Sequence, residues 1–152
     1  MNEKVLRVLE YNKIIDLLTD RATSDPGRKV CKSLTPSHDL DEINQAQEET
    51  KDALSRIFKK GSTSFGGNKD LGFALRSLEI GSSLSVTELL KIASLLENTA
   101  RIKAYGRNDK DDTPRDSLDE YFDGLEPLTP LSTEIRRCIL SEDEISDDAS
   151  SN

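Results

Sequence analysis

The sequence predicts an all-α protein in which several helices form an irregular bundle. Apolar residues recur at steps of three and four along most of the chain, and residues that cap helices precede these segments. No stretch alternates between apolar and polar residues as a half-buried strand does. The length of 152 residues fits one domain, and a hydrophobic content of 34% suffices for a modest core.

The first 36 residues predict two helices after an ambiguous start. The opening KVLRVLEY fits either a short helix or an extended piece. One helical face then carries Tyr11, Ile14, Ile15, Leu18 and Ala22. Ser24 or Asp25 can cap the next helix, because either side chain can accept hydrogen bonds from the free amides of the first turn. Pro36 ends that helix. Its short buried face comprises Val30, Cys31 and Leu34.

A long helix is predicted from Asp39 to a terminal Lys-Lys-Gly run. Asp39 and Glu42 have the spacing of a capping box, with Asp in the place usually taken by Ser or Thr. The apolar seam of this helix comprises Ile43, Ala46, Thr50, Ala53, Leu54, Ile57 and Phe58. We expect Leu54 and Ile57 to share one core with Leu96 of a later helix. On that assignment, Leu54→Ala would cost roughly 2–5 kcal/mol of stability.

Two further helices follow a mobile loop at residues 61–70. The first, LGFALRSL, can end at Gly81. Ser85 and Glu88 form a second capping box, which opens the helix VTELLKIASLLENTARIKAY. The broad buried face of this helix comprises Leu89, Ile92, Ala93, Leu96 and Ala100.

The remainder of the chain is more polar. Residues 106–116 contain proline and many charges, which favours a second mobile loop. Two short helices, SLDEYFDG and PLSTEIRRCIL, follow it. We interpret residues 1–141 as a helical core segment. The acidic residues 142–152 resemble the start of a further, truncated helix, because Asp147 and Ser150 are good N-cap residues with no helix to cap.

Charge and hydropathy restrict the classes of function. A net charge of −8 argues against binding of bare nucleic acid by this chain, since phosphates require a basic surface. No apolar run reaches the ~20 residues of a membrane span, and the amino terminus lacks the apolar centre of a signal peptide. These features predict a cytoplasmic protein without a membrane partner. Cys31 and Cys138 suit buried free thiols better than a disulfide framework.

One glycine-rich stretch has part of a phosphate-binding motif. Gly61 and Gly66 have the spacing of the P-loop glycines. However, Gly67 and Asn68 occupy the places where the motif needs Lys and then Ser or Thr, and a helix precedes the stretch where a strand should. The cation that would hold a phosphate is missing, so a flexible connector is the better interpretation.

Other polar patterns also favour structural roles. The spacing of a calcium-binding loop occurs at Asp109, Asp111, Thr113 and Glu120. Pro114 stands where that loop needs glycine, which favours a solvated loop. His38 is the only histidine and has no second ligand nearby in sequence, so a cap or surface position is favoured. A small basic patch, for which phosphate contact is the minority interpretation, comprises Arg21, Arg28, Lys29 and Lys32. The residues therefore predict no catalytic, cofactor-binding or metal site.

Five segments are distributed along nearly the whole chain: LEYNKIIDLL, PGRKVCKSLTP, QEETKDAL, SLEIGSSLSVTELLKI and EISDDAS. In this order and with these intervals, they resemble the amino-terminal part of the bacterial MutS-like paralogue that lacks the mismatch-recognition domain. The segment YGRNDKDDTPRDSLDEYF contributes no motif to the resemblance. The resemblance implies that the chain begins the helical core domain. In the full-length relative, lever helices, a Walker-type ATPase and a carboxy-terminal Smr nuclease domain would follow.

The resemblance also implies a function for the full-length relative. It would be a homodimeric ATPase and endonuclease, with ATP and Mg²⁺ as cofactors. It would act on branched DNA to suppress homologous recombination, or on collided ribosomes, through their rRNA, to rescue them. This chain would be a non-catalytic segment without a cofactor that contacts the remainder of the same polypeptide and couples the ATPase to the clamp around the substrate. The alternative is a free-standing acidic helical adaptor that binds a basic protein partner.

Overall fold

The computed structural model describes residues 3–66, 68–107 and 114–149. The described chain is mostly helical, which confirms the fold class predicted from the sequence. It divides into two compact units. Unit 1 comprises Met1–Gly66 and Asn108–Glu120, and unit 2 comprises Gly67–Arg107 and Tyr121–Asn152. No helix in the described part is both long enough and apolar enough to cross a membrane.

The helices follow the predicted order, and the ambiguous opening forms a short helix. Their bounds are α1 (Glu3–Val8), α2 (Tyr11–Arg21), α3 (Asp25–Ser33), α4 (Leu40–Lys60), α5 (Gly72–Glu79), α6 (Val86–Gly106), α7 (Asp119–Asp123) and α8 (Thr129–Cys138). Gly61 and Gly81, which follow α4 and α5, have positive φ angles of 78° and 81°. Glycine adopts this backbone conformation without steric cost, so both residues end their helices as predicted.

The predicted N-caps are present. Ser24 Oγ accepts a hydrogen bond from an amide in the first turn of α3, and the capping box that Ser85 opens is complete. The Asp39 side chain accepts hydrogen bonds from two amides of α4. Glu42 differs from the capping-box prediction, because its carboxylate accepts a 2.6 Å hydrogen bond from Ser37 Oγ instead of from the Asp39 amide. That amide donates to Ser37 Oγ at 3.1 Å.

Unit 2 has a small hydrophobic core. Ala93 of α6, Ile135 of α8 and Ile139 are buried together. Half-buried residues packed against them are Val86, Leu89, Leu90, Ile92 and Cys138. Beside this core, Arg136 donates two hydrogen bonds to the Glu97 carboxylate, at 2.8 and 3.0 Å. The predicted apolar face of α6 therefore packs against α8.

The prediction of no strands is wrong at the end of unit 2. Strand β1 (Ile139–Ser141) pairs with β2 (Glu144–Ile145) in a short antiparallel hairpin, and a 3-10 turn follows at Asp147–Ala149. The last predicted helix thus ends at Cys138, before its final two residues. Extended backbone lets Ile139 enter the core, and the Ser146 amide donates to the Cys138 carbonyl at 2.9 Å. In the described part of the segment predicted to start a further helix, residues 142–149, the chain instead forms strand β2 and the 3-10 turn. Ser150 lies outside the described residues.

Unit 1 is held together differently. The buried residues in its described part are all polar: Thr19, Arg56 and Asp119. The prediction that Leu54, Ile57 and Leu96 share a core is wrong, because Leu54 and Ile57 are 53% and 47% exposed and Leu96 belongs to unit 2. The buried face of α4 is the one that carries Arg56. Leu54→Ala should therefore lower the stability by less than the predicted cost of roughly 2–5 kcal/mol, since a half-exposed leucine loses little buried surface when truncated.

Gly106, the last residue of α6, is in close contact with the Phe122 ring in unit 2. A Cβ at Gly106 would overlap the Cβ and ring carbons of Phe122. We expect Gly106→Ala to lower the stability of unit 2 by about 1–3 kcal/mol from overpacking, offset by at most about 1 kcal/mol of helix propensity. Chemical unfolding checks this. The matched control is Gly72→Ala, whose Cβ would meet the ends of two flexible side chains, Asp70 Oδ1 at 3.1 Å and the Arg76 guanidinium nitrogens at 3.6 and 4.0 Å. Equal midpoints for the two variants would contradict the expectation.

Candidate functional site

Charged side chains that are distant in sequence converge in unit 1. The Arg56 guanidinium of α4 binds the Asp116 carboxylate through two hydrogen bonds, Nε to Oδ2 at 2.7 Å and Nη2 to Oδ1 at 2.6 Å. Arg56 Nη2 also donates to Asp119 Oδ1 at 3.0 Å. Arg56 is only 5% exposed and Asp119 only 6%. We call Arg56, Asp116 and Asp119 the ion cluster.

A frame of hydrogen bonds holds the acidic side of the ion cluster in place. The Asp116 amide donates to Asp119 Oδ2 at 2.8 Å, and the Leu118 amide donates to Asp116 Oδ1 at 3.0 Å. One turn before Arg56 on α4, Asp52 Oδ2 accepts from both the Ser117 amide at 3.0 Å and Ser117 Oγ at 2.7 Å. Asp52 and Arg56 are four residues apart and share a helical face. Two successive turns of α4, at Asp52 and Arg56, therefore bind residues 116–119.

Hydrogen bonds in and beside the ion cluster shift the pKa values of Asp116, Asp52 and Arg56. The hydrogen bonds from Arg56 lower the pKa of Asp116, and those from Ser117 lower the pKa of Asp52. The bond with Asp116 raises the pKa of Arg56 in turn. A carboxyl whose pKa is lowered on folding contributes stability above its ordinary pKa, and this contribution is lost as the pH falls through the lowered value. The directions of these shifts keep Asp52, Arg56 and Asp116 charged at neutral pH.

This arrangement is suited to structure and not to acid–base or metal chemistry. A general base needs a free lone pair and a pKa near the working pH, whereas the three carboxylates accept hydrogen bonds from Arg56, Ser117 and nearby amides. No group of three or more His, Cys, Asp or Glu side chains within the described ranges is placed to hold a metal ion. The ion cluster holds residues 116–119 in contact with α4.

The motif fragments singled out in the sequence are not brought together. Gly61 caps α4, and the Gly66 amide donates to Ser64 Oγ at 3.1 Å, while Gly67 lies outside the described residues. His38 is exposed in the turn before α4. Three positions of the calcium-like spacing lie outside the described residues, namely Asp109, Asp111 and Thr113. The fourth, Glu120, is on α7.

Arg28 of the predicted basic patch and Cys138 make local contacts. Arg28 donates to the Ala22 carbonyl at 2.7 Å, which joins α3 to the end of α2. Cys31 and Cys138 are both free thiols, as predicted, but they are only half-buried. Cys138 Sγ lies 3.6 Å from Glu134 Oε1 and 3.8 Å from the Ala149 carbonyl oxygen, so it packs where α8 meets the 3-10 turn.

The ion cluster was missed at the sequence level. Arg56 lies on the face of α4 opposite the apolar seam, where a charged residue is normally solvated. Asp116 lies at the end of the segment 106–116 that the sequence indicates as mobile. A signal was present, because Asp116, Ser117 and Asp119 lie at the start of a short helix and are all residue types that cap helices. Its partner, 60 residues earlier, could not be identified from spacing.

With Arg56 and Asp52 facing residues 116–119, α4 presents an uncharged face to solvent. We call this face the α4 stripe: Leu40, Ile43, Ala46, Gln47, Thr50, Ala53, Leu54, Ile57 and Phe58. Ile43 and Ala53 are half-buried and the others are exposed, Phe58 to 81%. A shallow groove of about 510 Å³ lies along its amino-terminal half, lined by Thr35, Ser37, Glu42, Ile43, Ala46, Gln47 and Thr50. The stripe is thus an apolar surface without a covering element in the described chain.

The chain is similar to one segment of several much longer proteins. It is 51% identical over 150 residues to a protein named Endonuclease MutS2 from Agathobacter rectalis, a match that covers 99% of this chain and 19% of that protein. The protein of the same name from Lachnoclostridium phytofermentans is 52% identical over 155 residues, with 99% and 20% covered. That from Lachnospira eligens is 41% identical over 152 residues. The chain thus spans about one-fifth of the length of these curated relatives. No protein-family model matches it.

Removing the cation of the ion cluster should destabilise unit 1 strongly. We expect Arg56→Met to cost about 3–5 kcal/mol, because Asp116 and Asp119 would remain desolvated without a counter-charge. The measurement is the free energy of local opening from amide hydrogen exchange at Ser117 and Leu118. Lys51→Met, at an exposed position of the same helix, is the matched control and should change it by less than about 0.5 kcal/mol. Similar effects from the two variants would contradict a structural role for the cluster.

Proposed function

Because the chain is homologous to a segment of about 150 residues of the Endonuclease MutS2 proteins, we propose that it is a non-catalytic helical packing segment of a longer protein of that kind. Its principal contact would be with the remainder of the same polypeptide. The observation that carries this proposal is the large amount of apolar side-chain surface that the described chain leaves uncovered.

The uncovered surface extends beyond the α4 stripe. On α5 and its carboxy-terminal cap it includes Phe73, Leu75, Leu78 and Ile80, and on α1 and α2 it includes Val8, Ile14 and Leu17. By contrast, the buried hydrophobic residues of the described chain are Ala74, Ala93, Ile102, Ile135 and Ile139. Monomeric soluble proteins rarely expose contiguous apolar patches larger than a few hundred Å². Helices of a longer protein would cover such surfaces.

The whole protein would supply the chemistry. We propose a homodimeric ATPase and endonuclease that requires ATP and Mg²⁺ and acts in the cytoplasm on branched DNA, to suppress recombination, or on collided ribosomes. In this chain, the carboxylates that come together are paired with Arg56 or accept hydrogen bonds from Ser117, which supports a structural and not a catalytic contribution.

The ion cluster supports a role in coupling. α4 is a helix of 21 residues, and its grip on residues 116–119 joins parts of the chain about 60 positions apart in unit 1. A displacement of α4 would therefore be passed directly to residues 116–119, which lead into α7. In the longer protein, this connection would help to transmit nucleotide-driven motion from the ATPase towards the clamp that surrounds the substrate.

Binding between this chain and the rest of a relative of that length tests the proposal. The chain is mixed with the four-fifths of the Agathobacter rectalis Endonuclease MutS2 that it does not match, produced separately, and affinity is measured by titration. We expect association, and at least about tenfold weaker binding for Phe73→Asp, since an apolar contact would be lost. The matched control Lys91→Asp also introduces an acid at an exposed helical position and should bind as the unchanged chain does.

The alternative is a free-standing acidic adaptor that binds a basic protein partner. An adaptor would show no affinity for the separately produced remainder, and Phe73→Asp would then have no effect in that titration. This result would contradict the packing proposal.

A further inference from the structure

We draw no further inference here: the strongest candidate, a cleft of about 400 Å³ between α6 and α8 of unit 2, carries none, because the charged residues that line it, Glu97 and Arg136, already bind each other and nothing in the structure shows what covers it.

Discussion

The architecture of unit 1 depends on the pairing of Arg56 with Asp116 and Asp119. The buried residues in the described part of that unit are polar, so this pairing takes the place that a hydrophobic core has elsewhere. A buried charge contributes to stability only while its partners are present, since an unpaired one remains desolvated. The geometry is therefore specific: the face of α4 that bears Arg56 must meet residues 116–119. The apolar face of α4 is left to solvent as a direct result.

Unit 2 is stabilised, as small domains usually are, by the burial of apolar side chains. Ala93, Ile135 and Ile139 exclude water between α6, α8 and the hairpin, and the Arg136–Glu97 pair beside them is partly exposed and contributes little. The contrast between the units fits a segment of a larger protein. The ion cluster fixes the position of α4 against residues 116–119 without burying the apolar face of α4. That face remains available for contacts with other helices.

Local features of the fold were predictable, and pairings distant in sequence were not. Ser24, Asp39 and Ser85 were identified as caps because a cap acts on amides two or three residues away. The α4 seam was identified as one face, yet its burial was predicted wrongly. Periodicity shows which residues share a face but not whether another element covers it. The buried ion pairs of Arg56 were not predicted because its partners lie some 60 residues later. The hairpin was not predicted because Ile139 continues the apolar pattern of α8.

A double-mutant cycle between Arg56 and Asp119 tests the central claim most directly. The opening free energy at the Leu118 amide is measured for the unchanged chain, Arg56→Met, Asp119→Asn and the double variant. If the ion cluster holds unit 1 together, the two losses will not add, and the coupling will be at least about 1 kcal/mol. Strictly additive losses, with a coupling near zero, would show that these side chains stabilise the unit independently and would contradict this account.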